Sequence, residues 1–273
     1  MTRLRRGGAS ALAPLLALLT ASDAAGQTLA ERVRAVGTGT VRMSYVTRRD
    51  VRGDGRCVFF DSGTRPLAAG IAVGSGCCCS PGDGWSPSFC DSAVARVALS
   101  VAAGRVDRVR AYVGGRWTDS AGLDIGRVAA AEAAAFLMGL AGQVAEGAEQ
   151  AIMAAVIADS ADVWRDLLRL ARDATRPGRA RGSALHWLAR AAGDSAAAGL
   201  GEIVASEDDR EIRRQAVYAI GLLPRDTGVP LLIDLARSHR DPDVRRAAFL
   251  ALGRSGDPRA LQLIEATLTG RAR

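Results

Sequence analysis

The residues with the clearest chemical potential are five cysteines, four of which share a loop rich in Gly, Ser and Pro. Cys77, Cys78 and Cys79 are consecutive, Cys90 follows them, and Cys57 precedes the loop. An odd number of cysteines leaves at least one thiol free or paired with another chain. We favour a disulfide from Cys78 or Cys79 to Cys90, which would stabilise the loop by ~2–4 kcal/mol. The alternative is a zinc site of Cys57, Cys77, Cys79 and Cys90, but these residues lack paired C-x-x-C spacing.

The remaining groups that could do chemistry are isolated from one another. His186 and His239 lie in the predicted helical region, far in sequence from any plausible Ser or Cys nucleophile. Catalysis needs a nucleophile or acid and a base that are held within hydrogen-bond reach. Because the sequence shows no such set, we predict no catalytic residues, no enzymatic activity and no cofactor.

The first 26 residues are typical of an export signal. Three of the first six residues are Arg, an apolar run extends from Ala11 to Thr20, and small residues precede Gln27. This order is that of a secretory signal peptide. The run is shorter than the ~20 apolar residues of a spanning helix, and Pro14 interrupts it. We therefore predict a signal peptide at 1–26, no transmembrane segment in the mature chain, and a periplasmic or secreted bacterial protein in which disulfides form.

The charge of the chain does not indicate a nucleic-acid partner. The 273 residues include 36 basic and 29 acidic side chains, and the formal net charge is +7. Every basic residue is Arg. Loss of residues 1–26 removes three Arg and Asp23, which lowers the charge to +5. Because this excess is small and acids are interleaved with the arginines, we expect the protein to bind no nucleic acid.

The region 27–124 is predicted to be a small β-rich domain with a Cys-rich loop. Apolar residues alternate with polar ones at the period of two that places them on one face of a strand. Asp54-Gly55 and Ala103-Gly104 supply turns for two hairpins. The segment from Leu29 to Val36 fits either a short helix or a further strand. The residues that mark the strands are Val41, Met43 and Tyr45; Val58 and Phe60; Val97, Leu99 and Val101; and Val109, Ala111 and Val113.

The region 125–273 contains internal repeats at an offset of 32 positions. Residues 209–221 match residues 241–253 without a gap, and Arg181 fits the same offset one copy earlier. In the clearest copy, Asp241 is suited to cap a helix and Pro242 to occupy its first position. Apolar residues then recur at the spacing of one helical face. Because a helix pair of this size cannot bury its apolar face alone, the copies must stack.

The motif Asp-Pro-Asp-Val-Arg-Arg-Ala-Ala-x-x-Ala-Leu-Gly-x-x-Gly-Asp-Pro-Arg-Ala-Leu at 241–261 resembles the short HEAT-like repeats also found in phycobilisome lyases. The resemblance extends over roughly Gln150 to Leu268. It implies a mainly α protein, in which an α-solenoid of HEAT-like helical hairpins follows the β-rich domain. In such repeats an Arg early in the first helix and an Asp in the intra-repeat turn tie successive units together. The matching positions are Arg181, Arg213, Arg245, Asp194, Asp226 and Asp257.

These features together predict an exported scaffold that binds another protein. In such arrays the second helix of each repeat conventionally presents the binding face. The candidate binding residues interrupt the apolar stripes of the second helices and are Arg165, Arg169, Glu202, Asp234 and Arg237. Two alternatives stay open at this point. The lyase resemblance implies a tetrapyrrole lyase or isomerase, and the Cys-rich loop would suit a metal- or thiol-binding module.

Overall fold

The structure is a computed structural model that describes residues 27–55, 58–60, 71–73, 93–117 and 121–270. The predicted signal peptide lies outside the described residues, and so do all five cysteines. The predictions of signal-peptide cleavage, of a disulfide to Cys90 and of the alternative zinc site therefore concern residues that the structure does not describe.

The N-terminal part of the described chain contains one short helix and seven strands. They are α1 (Leu29–Ala35), β1 (Gly39–Val46), β2 (Val51–Gly53), β3 (Val58–Phe60), β4 (Ile71–Val73), β5 (Val94–Ala102), β6 (Arg105–Val113) and β7 (Leu123–Arg127). One sheet has the strand order β6-β5-β1-β7, and a second, smaller sheet has the order β2-β3-β4. β1 is antiparallel to β5 and parallel to β7.

The period-two pattern correctly identified the central strand and the long hairpin. Val41, Met43 and Tyr45 are fully buried on one face of β1. β5 and β6 form the predicted antiparallel hairpin, with Leu99 opposite Val109. Its two-residue turn has φ of 49° at Ala103 and 73° at Gly104. Two positive φ values in succession give the backbone twist that joins two strands of a hairpin directly.

Two local predictions are resolved by side-chain contacts and strand pairing. Leu29–Ala35 is a helix because Thr28 and Glu31 form a reciprocal capping box at its start. The turn at Asp54-Gly55 joins β2 to β3, and not β1 to β3 as predicted. The prediction was wrong because alternation identifies a strand but not its partner: β1 pairs with β5, about 50 residues away in the chain.

The rest of the described chain is a helical array. Its helices are α2 (Ala130–Ala141), α3 (Ala148–Val156), α4 (Trp164–Arg172), α5 (Gly178–Ala192), α6 (Ala197–Ser206), α7 (Arg210–Ile220), α8 (Arg225–Ser238), α9 (Pro242–Ser255) and α10 (Pro258–Leu268). The predicted architecture, a helical repeat region after a small sheet region, is confirmed. Within the described residues, no helix has both the length and the apolar character needed to cross a membrane.

The helices of the array begin at caps that the sequence supplies. The side chains of Asp209, Asp241 and Asp257 accept hydrogen bonds from backbone N–H groups in the first turns of α7, α9 and α10. These bonds satisfy donors that have no partner within the helix. α9 continues past Gly253 and stops at Gly256, which has a φ of 62°. The left-handed conformation at Gly256 is the usual signal that ends a helix.

The helices form two rows. The first-helix row consists of α3, α5, α7 and α9, which contact one another in that order. The second-helix row consists of α4, α6, α8 and α10; α8 contacts both α6 and α10. Gly199 of α6 faces Leu168 of α4 so closely that an added Cβ would lie 2.9 Å from the leucine side chain. Each row therefore presents one long face of the array.

The main sheet packs directly on the start of the array. The Tyr45 hydroxyl donates a buried hydrogen bond to the Ala154 carbonyl of α3 at 2.7 Å. The backbone N–H of Arg48 donates to the Ile157 carbonyl at 2.9 Å. Buried apolar residues form one continuous core from the sheet into the helices. β7 also runs across the predicted domain boundary at 124. The sheet thus covers the end of the array that has no preceding helix pair.

We predict that Tyr45→Phe destabilises the protein by about 2 kcal/mol, because a buried acceptor loses its donor. The Ala154 carbonyl lies in the last turn of α3, where carbonyl groups generally lack a donor within the helix. Burial also raises the pKa of Tyr45, so the phenol stays protonated as a donor. The free energy of unfolding in urea measures the loss.

Tyr112→Phe is the matched control. Tyr112 lies on the opposite face of the sheet, beside Trp117 at 5.9 Å between ring centroids. In the described part of the chain its hydroxyl has no hydrogen-bond partner, so its removal should change stability by less than about 0.5 kcal/mol. Equal losses for the two variants would contradict a stabilising contact between Tyr45 and α3.

Candidate protein-binding surface

The loop before α7 is held by two arginines that come from successive helix pairs. Arg181 of α5 forms an ion pair with the Glu207 side chain and donates to the Ala171 carbonyl at 2.9 Å. Arg213 of α7 donates to the Glu207 carbonyl at 2.6 Å. Glu207 is therefore fixed by one repeat through its side chain and by the next through its backbone.

The same arrangement recurs at the loop before α9. Arg213 forms an ion pair with Asp241, with 2.9 Å between Nη2 and Oδ2. Arg245 of α9 donates to the His239 carbonyl at 2.7 Å. The backbone acceptors Glu207 and His239 are 32 residues apart, as are Arg213 and Arg245. We call Arg181, Arg213 and Arg245 the arginine ladder, because each contacts a loop between helix pairs.

The three predicted turn aspartates lie on the other side of the array. Asp194 accepts a hydrogen bond from the Thr227 hydroxyl of the next repeat. Asp226 lies 3.4 Å from Arg259, also one repeat further on. Asp257 caps α10 and pairs with Arg259 at 2.9 Å, and that hydrogen bond, ahead of other causes, lowers the pKa of Asp257 to about 2. These contacts link successive intra-repeat turns.

Four of the five candidate binding residues of the second-helix row have partners within the protein. Arg165 pairs with Asp162 at 3.4 Å and lies over the Trp164 ring. Arg169 pairs with Asp166, and Glu202 pairs with Arg172. Asp234 accepts from the Ser238 hydroxyl, and Arg237 is exposed at the end of α8. That these five side chains form a binding face stays a prediction.

A groove of about 480 Å³ lies between α2 and α4 and brings one of these residues to a concave surface. Arg169 lines it together with Met138, Gly139 and Leu170. Arg176 closes one side, where it donates to the Gly142 carbonyl at 3.2 Å. The groove combines apolar walls with charges that are already paired, which suits a contact with a side chain of another protein better than proton transfer.

The two histidines make contacts within the helical array. His186 packs edge-on against Trp187, and desolvation, followed by the charge of Arg190, lowers the pKa of His186. His239 accepts a hydrogen bond from the Asp241 backbone at 3.1 Å, which is a structural role in the loop before α9. Within the described ranges, no group of three His, Cys, Asp or Glu side chains is placed to hold a metal ion.

The first-helix row carries exposed apolar side chains that the sequence analysis did not single out. Leu222 is 43% exposed and Leu250 is 49% exposed. In the sequence each leucine stands beside a residue that is buried, since Leu223 is 5% exposed and Ala251 is 7% exposed. The signal that could have separated them is the 32-residue offset: it aligns Leu250 with Tyr218, and Leu222 with Arg254, whereas core positions keep a small or aliphatic residue in every copy.

A family model described as HEAT repeats matches residues 197–272. These residues include α6 to α10, where the 32-residue offset is clearest. The C-terminal half of the chain is thus a HEAT-like repeat region, as the sequence motif indicated. The comparisons find no matching curated protein and no matching solved structure.

We predict that Arg213→Ala lowers the free energy of unfolding by about 2–3 kcal/mol, because it removes hydrogen bonds to two loops and leaves Asp241 without its cation. The free energy of unfolding in urea measures the loss. Its dependence on urea concentration should be the same for the variant and for wild type. The matched control is Arg214→Ala. Arg214 pairs with Glu211, both about half exposed, and exposed pairs contribute ~0.5 kcal/mol or less. Equal effects of the two variants would contradict the arginine ladder.

We further predict that Asp257→Asn reduces stability in a pH-dependent way. The pKa of Asp257 falls from 3.8 to about 2 in the folded protein. The resulting stabilisation is complete above the unfolded-state pKa and disappears as the pH falls through about 2. The difference in melting temperature between wild type and Asp257→Asn should therefore narrow from pH ~5 to pH ~2.

Arg259→Ala is the companion variant, because Arg259 causes the shift. The difference in melting temperature between wild type and Arg259→Ala should narrow over the same pH range. A difference that stays constant from pH ~5 to pH ~2 would show that the ion pair does not set the pKa of Asp257.

Proposed function

We propose that the protein is an exported scaffold that binds another protein through its helical array and does not itself catalyse a reaction. The observation that carries this proposal is the HEAT-repeat match at 197–272, since HEAT repeats commonly mediate protein interaction. Stacked repeats create an extended surface whose shape is set by the small rotation between neighbours.

The contacts between repeats support a scaffold role. The arginine ladder holds the loops on one side of the array, and Asp194 and Asp226 link the turns on the other side. A surface that is fixed before binding loses less conformational entropy when a partner docks. Rigid stacking of this kind therefore favours recognition of a protein surface.

The start of the fold is compatible with the proposed export. Cleavage before Gln27 leaves Thr28 in place as the cap of α1. Leu29, the first residue of that helix, is buried, and its backbone N–H donates to Glu132 of α2 at 3.0 Å. Removal of residues 1–26 would thus keep every described element. These considerations support a mature chain that begins at Gln27 and functions in the periplasm or outside the cell.

The proposal predicts two results for the protein expressed with a C-terminal affinity tag in its own host. Mass spectrometry should find a mature chain that begins at Gln27 in the periplasmic or extracellular fraction. Chemical crosslinking followed by affinity purification should recover one partner protein in comparable amount. A chain that lacks residues 1–26 is the control, and it should stay in the cytosol and lose the partner.

The two parts of the proposal fail separately. An intact Met1 in the cytosolic fraction contradicts export. Absence of any crosslinked protein from a correctly localised chain contradicts the scaffold role.

A further inference from the structure

The first-helix row presents a continuous stripe whose composition differs from the rest of the array. Its members occupy two levels of the helices, one turn apart. Positions 186, 218 and 250 form one level, and positions 190, 222 and 254 form the other, each at the 32-residue offset. We call this surface the α5–α7–α9 stripe, and it consists of His186, Arg190, Tyr218, Leu222, Leu250 and Arg254.

The members of the stripe on α7 and α9 lie close together. The Arg254 guanidinium carbon is 6.0 Å from the centre of the Tyr218 ring, and that of Arg214 is 5.9 Å away. An added Cβ at Gly221 would lie 3.4 Å from the Cβ of Ala251, so the two helices are in close contact at this level. Two guanidinium groups therefore already cover the Tyr218 ring. Leu250 occupies the equivalent position on α9, and Leu222 lies in the turn that follows α7.

The stripe begins at the small sheet. Phe60 of β3 lies 5.3 Å from Trp187, measured between ring centroids, and the Arg190 guanidinium lies 5.6 Å from the Phe60 ring. Desolvation lowers the pKa of Arg190, which nevertheless remains charged at any physiological pH. The stripe thus runs from β3 across three helices, and its first cation is partly buried among aromatic rings.

The two arginines of the stripe differ in their ionic contacts from other arginines of the same helices. In the part of the chain that the structure describes, no carboxylate lies within ion-pair distance of Arg190 or Arg254. By contrast, Arg214 pairs with Glu211 at 2.5 Å, and Arg246 pairs with Asp243 at 3.0 Å, both nearer the starts of the helices. The stripe therefore combines exposed leucines with positive charges that no carboxylate of the described residues balances. A partner surface that complements it is apolar and carries carboxylates.

We propose that the α5–α7–α9 stripe binds an extended segment of another protein in which apolar side chains alternate with Asp or Glu. This proposal rests on the scaffold function and names the surface and the chemistry of the partner. Leu222, Leu250 and Tyr218 supply the apolar contacts, and Arg190 and Arg254 bind the carboxylates. Aromatic residues and Arg are also the side chains that carry most binding energy at protein interfaces.

The dimensions of the stripe favour an extended segment over a helix. Neighbouring helices pack ~8–10 Å apart, and an extended chain of the polyproline II type has three residues per turn and advances ~3.1 Å per residue. Every third residue of such a segment therefore reaches an equivalent position on the next helix. The stripe is about one helical turn, ~5.4 Å, wide, whereas a bound helix measures ~10–12 Å across. A helix would extend over the ion pairs of Arg214 and Arg246.

Nucleic acid fits this surface less well. Binding of single strands depends on free aromatic faces for base stacking and on a groove of cations that follows the phosphates. Here two guanidinium groups already lie over the Tyr218 ring. Leu222 and Leu250 are exposed members of the stripe and would face the phosphate backbone. Affinity for a nucleic acid in place of an acidic peptide is therefore an outcome that opposes the proposal.

The second-helix row offers a weaker case for the same partner. Arg165, Arg169 and Arg172 each pair with a carboxylate of the protein itself. A partner that used these arginines would have to displace ion pairs that are already formed. Exposed leucines occur there too, at Leu261 with 53% exposure. Leu261 therefore provides a matched control for Leu250, since substitution changes the same side chain at similar exposure.

Synthetic peptides test the proposal directly. The probe is a fluorescein-labelled peptide of about 12 residues, Leu-Glu-Ser repeated, which spans roughly 40 Å when extended. One control peptide has Lys in place of Glu, a second has Ala in place of Leu, and a labelled single-stranded DNA of similar length is the third. Fluorescence anisotropy at low ionic strength should show at least about tenfold tighter binding of the Leu-Glu-Ser peptide than of any control.

Variants then locate the site. Leu250→Glu should weaken binding of the Leu-Glu-Ser peptide about tenfold, because it replaces an apolar contact by a charge that repels the peptide. Arg254→Ala should weaken binding and also reduce its sensitivity to added salt. Leu261→Glu should bind as wild type does. Leu250 and Arg254 are exposed, so circular dichroism should show wild-type folding for both variants.

Several results would overturn the proposal. One is that the Lys peptide, the Ala peptide or the DNA binds as tightly as the Leu-Glu-Ser peptide does. Another is that Leu250→Glu binds the Leu-Glu-Ser peptide with the same affinity as wild type. Crosslinking in the native host separates this proposal from the scaffold function. A partner that is retained by Leu250→Glu but lost by Leu261→Glu refutes the stripe and leaves the scaffold standing. A wild-type protein that captures no partner refutes the scaffold.

Discussion

Each helix pair of the array has an apolar face that only a neighbouring unit can bury, and this constraint governs the whole structure. Leu188, Ile220 and Leu252 are related by the 32-residue offset, and all three are at most 1% exposed. A single pair would leave these side chains in water, so stability comes from stacking. At the N-terminal end no helix pair precedes α3, and the main sheet supplies the missing apolar surface. Sheet and array therefore share one core and should unfold together.

Close stacking also explains the residues that surround the core. Ala184 and Ala216 are fully buried on successive first helices, where their small size permits close approach. This approach brings Arg213 near two loops at once, and both loops carry backbone or side-chain acceptors that would otherwise lack a partner. The arginine ladder is thus a consequence of the helix spacing and, in turn, fixes that spacing. The mostly buried charge of Arg213 is stable there because it pairs with the Asp241 carboxylate and donates to the Glu207 carbonyl.

The two long faces of the array differ in a way that bears on function. Charges of the second-helix row are largely paired with one another. The first-helix row presents exposed leucines together with Arg190 and Arg254, for which the described residues provide no carboxylate within ion-pair distance. Exposed ion pairs contribute little to stability and keep a surface soluble. Exposed leucines are stabilised when a partner covers them, so they favour association. The small sheet contacts α5 of the first-helix row at Phe60 and Trp187, so that face extends beyond the helices.

The sequence alone determined the helical repeats, their caps and the arginine ladder positions, because these depend on local spacing that recurs every 32 residues. It also determined β1 and the β5–β6 hairpin, since alternation and a two-residue turn are local signals. Only the tertiary structure decided that β1 pairs with β5 and that the sheet covers the start of the array. It likewise decided that Leu222, in the turn after α7, is exposed while the adjacent Leu223 is buried. Both leucines belong to the same apolar run, and which one faces a neighbour depends on how the helices pack and not on residue type.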